Sequence, residues 1–443
     1  MLDIRYIRQN VELIKEGAAR KNIRCDVDRL CAVDDRRRAI QTELDSLRAE
    51  QNETGANIAL YRNPKSDFYK RKLAEGVTPG QLKAEADALV ERMAHSKARV
   101  KELETEQEGI LAEYNALMLT VPLPPGDDVP VGPDASANVE MYRVGEPPKF
   151  DFAPKDHVEL GRIHGLIDID RGVKLAGSRS YFLTGPGAML HQAVLRLAFD
   201  YMVYEQGFTP MSVPVLVREH VMVGTGFFPE GRDQVYQMPE DELCLTGTAE
   251  VALTSYHADE VLSEDELPKR YVALSTCFRR EAGTYGKDTA GIYRIHQFDK
   301  VEQVVVCRND VEESKQWQKK MVGYSEAVLK RLELPYRVVH LCTGDISAGK
   351  ASTYDIETWM PSRNGYGETH SASRLYDFQA RRLNIRYRDK DKKVHVCHTL
   401  NNTVIASPRI LIPILECYQN QDGSITVPKA LRPYMRGMER IGG

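Results

Sequence analysis

Residues 277–302 hold the densest chemistry in the chain. They read as two polar-studded strands joined by the glycine-rich loop Gly283–Gly291, which carries Lys287 and Asp288. Arg279 and Glu281 alternate on the first strand, and Phe298, Lys300 and Glu302 on the second, so each set faces one side. One sheet face then presents two cations, two carboxylates and an aromatic ring. A lone arginine or glutamate there would be an ordinary solvated edge charge. This many functional groups on one face is not explained by packing, because burying them unpaired would be costly. A second group lies upstream, in Leu245-Thr246-Gly247-Thr248-Ala249-Glu250. By residue type alone, Thr248 and Glu250 could simply cap a helix.

Long helices and a mixed C-terminal region must position these groups. Residues 1–26 read as one short amphipathic helix, with Ile7, Val11 and Ile14 apolar, followed by a turn. A heptad follows: Leu30, Arg37, Leu44, Gln51 and Ile58 recur every seven residues, with Val33, Ile40, Leu47 and Thr54 between them. A second runs through Leu82, Leu89, Ser96, Leu103, Ile110 and Leu117, with Ala86, Met93, Val100, Gln107 and Tyr114 between. Asn63-Pro64 and Thr78-Pro79-Gly80 break the pattern. The expectation is an antiparallel helical hairpin over about 28–118, its second helix about 55 Å long at 1.5 Å per residue. Narrow seams leave most of each helix in water, so the arm is expected to project. Its tip interleaves Tyr61, Phe68 and Tyr69 with Arg62, Lys65, Lys70, Arg71 and Lys72, a mixture suited to phosphate contact and base stacking. Periodicity alone fits a plain coiled-coil tether as well. Residues 120–150 are proline-rich and read as a stiff linker with no periodic element. From 151 onward helical and strand-like stretches alternate. Residues 187–206 are apolar at helical spacing, and Met211–Leu216 reads as a strand interrupted by Pro214, hence an edge strand.

Composition bounds the function. The 443 residues suffice for two or three domains. No apolar run is long enough to span a bilayer, and the charged N-terminus is no secretory signal, so a cytoplasmic protein without membrane contact is expected. The eight cysteines are scattered without the spacing of a structural zinc site, so reduced thiols and no zinc are expected. The net charge of −4 excludes a globally basic nucleic-acid binder. Yet residues 60–101 hold ten Lys/Arg against five Asp/Glu, one compact positive element on an acidic body.

The stretch Phe278-Arg279-Arg280-Glu281-Ala282-Gly283, followed by His296-Gln297-Phe298-Asp299-Lys300-Val301-Glu302, resembles motif 2 of the class II aminoacyl-tRNA synthetases, and of the seryl-tRNA synthetase family in particular. The resemblance covers essentially the whole chain. It implies an α+β protein: an N-terminal antiparallel helical hairpin, then a catalytic domain on a mainly antiparallel sheet with flanking helices. The domains would be 1–119, binding tRNA, the linker 120–150, and the catalytic domain 151–443. By resemblance Arg279 holds the ATP α-phosphate and the substrate carboxylate, Glu281 the adenine amino group, Phe298 stacks on adenine and Ile295 lies beside the base. Arg280 fills the variable middle position of the ATP motif, and the loop Gly283–Gly291 moves between ATP and acceptor-end binding. Thr248, Ala249 and Glu250 form the amino-acid-binding motif, with Thr248 and Glu250 on the α-ammonium of L-serine. Glu302 and Thr403 take its hydroxyl. Glu368-Thr369-His370-Ser371 matches the family's Glu-x-x-Ser ATP segment, with Glu368 and Ser371 on Mg²⁺. His370 stands where serine is common, and no general-base role is assigned to it. Arg409 in His398–Arg409 matches the arginine on the γ-phosphate. Asn402, Val404 and Pro408 replace the family's usual glycines, beside the amino-acid pocket, and bear on its floor geometry.

The resemblance further implies a homodimer through the 187–216 unit and ATP as substrate. Its RNA partners would be tRNA(Ser), gripped by the arm, and tRNA(Sec) where present. A silent RNA-binding paralogue would be expected to lack Arg279, Glu302 or Arg409, and all three are here. A ligase charging a carrier protein would lack the arm.

Overall fold

The computed structural model describes residues 2–283 and 291–442. Residues 284–290, including Lys287 and Asp288 on which the expectation of loop movement rests, lie outside the described residues. The chain divides into two compact units: Ile4–Val11 with Cys25–Val121, and Glu12–Arg24 with Pro122–Gly443 and the first three residues.

The first unit is the helical hairpin. Its helices are Val27–Arg62 (36 residues) and Pro79–Thr120 (42 residues). The second is therefore about 63 Å long, longer than expected because helix continues through both ends of the heptad run. Each start is chemically specified. Asp26 caps the first by accepting from the Arg29 amide at 2.8 Å. Thr78 and Gln81 form a capping box on the second, with Pro79 in the first turn. The seam follows the heptads: Ile40, Leu44 and Leu103 are fully buried, with Leu47, Val100 and Ile110 packed against them. The polar seam positions meet one another. Gln51 donates to Ser96 at 3.1 Å, and Arg37 stacks over Tyr114 at 5.0 Å. At the tip a further helix, Asp67–Ala74, is capped by Ser66, and Tyr61 meets Phe68 edge-on at 4.9 Å.

The second unit is built on an eight-stranded sheet. In chain order its strands are β1 (Val139–Val144), β2 (Thr209–Met211), β3 (Lys269–Phe278), β4 (Gln297–Cys307), β5 (Tyr336–His340), β6 (Ser352–Met360), β7 (Gly365–Tyr376) and β8 (His398–Ser407). They lie side by side as β1-β5-β6-β7-β8-β4-β3-β2, all antiparallel except β2 with β3. Helices Pro186–Asp200 and Val311–Arg331 contribute to its main core, where Leu190, Val194, Val301, Val305, Val328 and Leu400 are buried.

Four expectations are corrected. The N-terminal helix is two, Ile4–Gln9 and Val11–Arg20. The 120–150 stretch is no bare linker: Val139–Val144 forms an edge strand paired with β5, and Val129 packs with Val339, Leu341 and Ile346. Proline spacing hid a strand whose hydrogen bonds come from a distant segment. Met211–Leu216 is not one strand but two ends, Thr209–Met211 and Leu216–Arg218, split around Pro214; the edge position of the first holds. Finally, β3 ends at Phe278, and Glu281 has φ +53°, outside any strand. Arg279 and Glu281 therefore share a side by a turn, not by strand alternation.

Candidate active site

β4 supplies the alternating face. Phe298, Lys300 and Glu302 pair regularly with Cys277, Ser275 and Ala273 of β3, so all three point the same way. They line two adjoining chambers that share Arg279, Lys300, Glu368 and Thr403.

The first chamber adds Glu281, Tyr293, Ile295, Phe298, Thr369, His370 and Arg409. The Arg279 guanidinium lies 5.1 Å from the Phe298 ring centroid, and its Nε donates to the Gly247 carbonyl at 3.3 Å. Its backbone is fixed by His296, whose carbonyl accepts from the Arg279 amide at 2.9 Å. Glu281 is ion-paired with Arg294 at 2.6 Å. At the far end Arg409 donates to the carbonyls of Tyr293 (3.0 Å) and Glu368 (3.1 Å) and stacks over Tyr293 at 4.5 Å. The chamber thus runs from an arginine–phenylalanine clamp to a second arginine. His370 is fully buried with Nδ1 2.8 Å from Thr369 Oγ1, and burial holds it down to about 3, so it is neutral.

The second chamber is acidic. It adds Thr248, Glu250, Glu302, Ser371, Asn401 and Lys350. Thr248 precedes the helix Glu250–Ser255 and accepts from the Glu250 amide at 3.2 Å, so it caps as well as lines. Ala249 is buried behind them. Glu250 accepts from Gln379 at 2.8 Å; burial, then the nearby Glu302 carboxylate, pushes it up to about 6. Buried Lys300 ion-pairs with buried Glu302 and donates to Thr248 at 2.7 Å. Thr403 Oγ1 lies 3.5 Å from Glu302. A ligand with an ammonium and a hydroxyl would meet carboxylates and hydroxyls in this chamber.

The structure brings most sequence-nominated residues together: Arg279, Glu281, Ile295, Phe298, Thr369, His370 and Arg409 in one chamber, Thr248, Glu250, Glu302 and Ser371 in the other, Glu368 and Thr403 in both. Arg280 is exposed and lines neither. At the arm's tip Arg62, Lys65, Lys70 and Arg71 are exposed, Lys72 is half-buried, Arg62 pairs with Asp87 and Lys72 with Glu75. Sequence reasoning missed Tyr293, Lys350, Asn401 and Asp355. Asp355 sits on β6 opposite Ser371 of β7. Burial, then the Glu368 charge, pushes it well above the usual carboxylate range. Its signal was the alternation of Thr353, Asp355 and Glu357, but strand pairing alone shows that it meets Ser371. Of the residues standing for the family's glycines, none of Asn402, Val404 and Pro408 is among those lining the two chambers. Asn402 turns away, donating to the Met321 carbonyl (2.7 Å) and to Ser325 (2.9 Å), and Val404 is core.

Comparison with known proteins agrees with this geometry. Residues 1–125 match the model of the seryl-tRNA synthetase N-terminal domain, and residues 234–418 that of the class II tRNA synthetase core domain (G, H, P, S and T). The fold and pocket are those of a class II aminoacyl-tRNA synthetase. A serine–tRNA ligase of Deinococcus radiodurans is 45% identical, the match covering 100% of this chain and 99% of that one. One from Thermobifida fusca is 43% identical over 98% and 97%. The crystal structure of Pyrococcus horikoshii seryl-tRNA synthetase complexed with ATP superposes with a TM-score of 0.85 at 36% identity, covering 100% and 99%. The chain belongs to the seryl-tRNA synthetase family.

Proposed function

We propose that the two chambers activate L-serine with ATP and that the enzyme then charges tRNA. The serine carboxylate attacks the α-phosphorus and pyrophosphate leaves; a ribose hydroxyl at the tRNA end then attacks the adenylate carbonyl and AMP leaves. The carboxylate is already ionised, so the first step needs no general base, and neutral His370 is given none. The observation that carries the reading is the meeting of Arg279 with both chambers. Of the four residues common to both chambers it is the arginine, with a forked cation that can touch nucleotide and amino acid together, where negative charge builds up as the bond forms.

Arg279 holds the α-phosphate and the serine carboxylate. Phe298 and Ile295 receive the adenine, Glu281 its amino group, and Arg409 the γ-phosphate. Thr248 and Glu250 take the serine ammonium; Glu302 and Thr403 take the hydroxyl. Alanine would leave those buried groups unpaired, a strong rejection; threonine must be excluded by size, a weaker one. Asp355 Oδ1 is buried without a hydrogen-bond partner, and Glu368 and Ser371 add hard oxygens beside it. Mg²⁺ keeps waters and substrate phosphates as ligands, so a few protein oxygens of this kind suit it. Glu368, Ser371 and Asp355 would hold it, and bound there it neutralises charge along the phosphates.

The arm, through Arg62, Lys65, Lys70, Arg71 and Lys72, grips tRNA(Ser), and tRNA(Sec) where that exists. The β2 edge and the preceding helix form a homodimer interface; sedimentation showing only monomer at micromolar concentration would remove it. No helix among the described residues is long and apolar enough to cross a membrane. The test of the activity is serine-dependent ATP–pyrophosphate exchange, with threonine, alanine and glycine in parallel. Exchange with serine alone is expected; folded protein giving none with any would overturn the reading.

A further inference from the structure

The last rung of the sheet beneath the nucleotide chamber is tied from behind. Asp299 and Ser407 are register partners across β4 and β8, and Thr276 of β3 faces Asp299 on its other side. Asp299 alternates with Phe298 and Lys300, so it points to the opposite face of the sheet. There it meets His191, in the middle of helix Pro186–Asp200 and nearly buried. His191 Nδ1 lies 2.8 Å from Ser407 Oγ, and Nε2 2.9 Å from Asp299 Oδ2. Thr276 donates to the other carboxylate oxygen at 2.7 Å.

The bonds to the Asp299 carboxylate have a fixed direction. Burial works against the Asp299 charge, but the hydrogen bonds from His191 and Thr276 outweigh it and hold the carboxyl below its ordinary range. An ionised carboxylate only accepts, so Nε2 carries the proton. On the other ring nitrogen, Nδ1 and the Ser407 hydroxyl complete the chain at 2.8 Å. Serine, histidine and aspartate in series resemble an acyl-transfer triad, but Ser407 shares a rung with Asp299 and its hydroxyl is held by His191 on the face turned away from Phe298 and the chamber. The constellation orients; it does not attack.

We propose that His191 is a positioning residue for ATP: through Ser407 and Asp299 it locks the strand ends that carry Arg409 and Phe298. Ser407 stands two residues before Arg409, and Asp299 directly follows Phe298, so one imidazole sets the ends of both nucleotide-binding strands. Glu302 and Thr403 lie further along the same strands, on rungs secured independently; the Thr403 carbonyl accepts from Ser325 at 2.8 Å. The lock therefore acts on the nucleotide half of the site and not on the serine half. This rests on the reading of Arg409 and Phe298 given above.

The experiment is steady-state pyrophosphate exchange on the full chain with Ser407→Ala, His191→Leu, His191→Gln and, in parallel, Arg409→Ala. Thermal unfolding checks that each variant is folded. Ser407→Ala and His191→Leu are expected to raise KM for ATP about tenfold, with KM for serine unchanged. His191→Gln offers one acceptor and one donor in a single side chain and is expected to recover most of the loss. An unchanged KM for ATP in Ser407→Ala overturns the proposal. So does a parallel rise in both KM values, or a glutamine variant no better than leucine. Should Arg409→Ala itself leave KM for ATP unmoved, the Arg409 reading fails and takes the proposal with it. An Arg409 effect without a Ser407 effect sinks the proposal alone.

Discussion

The arm and the pocket both depend on charge, yet they use it in opposite ways. Along the hairpin, Arg29–Glu113, Arg36–Glu106, Arg48–Glu104, Arg62–Asp87, Arg92–Glu50 and Arg99–Glu43 bridge the two helices. All stand in water, where salt screens them and solvent competes for each partner. They fix register by number, and any one is replaceable. In the pocket, Lys300 and Glu302 are buried and Glu250 is forced toward neutrality. There the Lys300 and Glu302 charges offset each other with no solvent substitute, so a single loss leaves its neighbour stranded. The arm tolerates; the pocket does not.

The sharpest way to break that contrast is Arg279→Ala. It removes the arginine shared by both chambers and is expected to lower pyrophosphate exchange by at least about 10²–10³-fold, with thermal unfolding little changed. Near-normal exchange would refute its role. Next in size is removal of the arm. Arg29 Nε and Glu113 lie 2.6 Å apart at the base of the hairpin, and residue 119 follows about 9 Å further along the helix, so the ends left by excising residues 30–118 are to be joined by a flexible Gly/Ser linker. Serine activation should persist while tRNA charging is lost; unchanged charging would remove the arm's assigned purpose.

How much of this was legible in the sequence follows the same division. The heptads gave the hairpin almost residue by residue, down to the polar layer in which Gln51 meets Ser96, because a two-helix seam is a local, periodic code. The pocket's parts were legible as motifs, since Arg279, Phe298, Glu302 and Arg409 sit at fixed spacings. Their assembly was not. Glu281 reaches the chamber by a positive-φ turn that strand alternation does not encode. Asp355 and Lys350 arrive from strand pairings and loops far away in the chain. Val139–Val144 read as linker because its partner strand is almost two hundred residues downstream. Non-local pairing, not residue type, is what a single sequence withholds.

A third, smaller effect sharpens the electrostatic side. Glu250 is pushed up to about 6 by burial and by Glu302. The serine ammonium is favoured by the ionised carboxylate, so binding below pH 6 must first remove a proton from Glu250. KM for serine should therefore rise as pH falls from 7 to 5, approaching about tenfold per unit below 6, while KM for ATP stays flatter. Glu250→Gln should raise KM for serine and abolish its slope. A flat serine profile in the unaltered enzyme would dissociate Glu250 from the ammonium.

The smallest expected effect belongs to the arm, and it tests the contrast at its weaker end. Arg36 contacts Glu106 through two hydrogen bonds, at 2.6 and 2.7 Å. By geometry alone it looks as strong as any pair in the pocket. Both side chains remain more than a third exposed, so water replaces what Arg36→Gln removes, and the mid-point of unfolding should move by no more than the scatter of the measurement. Leu103→Ala, one turn away on the other helix, deletes apolar volume from the fully buried layer of Ile40 and Leu44. Its cost should fall near about 2–5 kcal/mol, read as earlier loss of helical signal. If Arg36→Gln proved the more damaging, the hairpin would be held by its ion pairs and not by its narrow apolar seam. Arm and pocket would then obey one electrostatic rule after all.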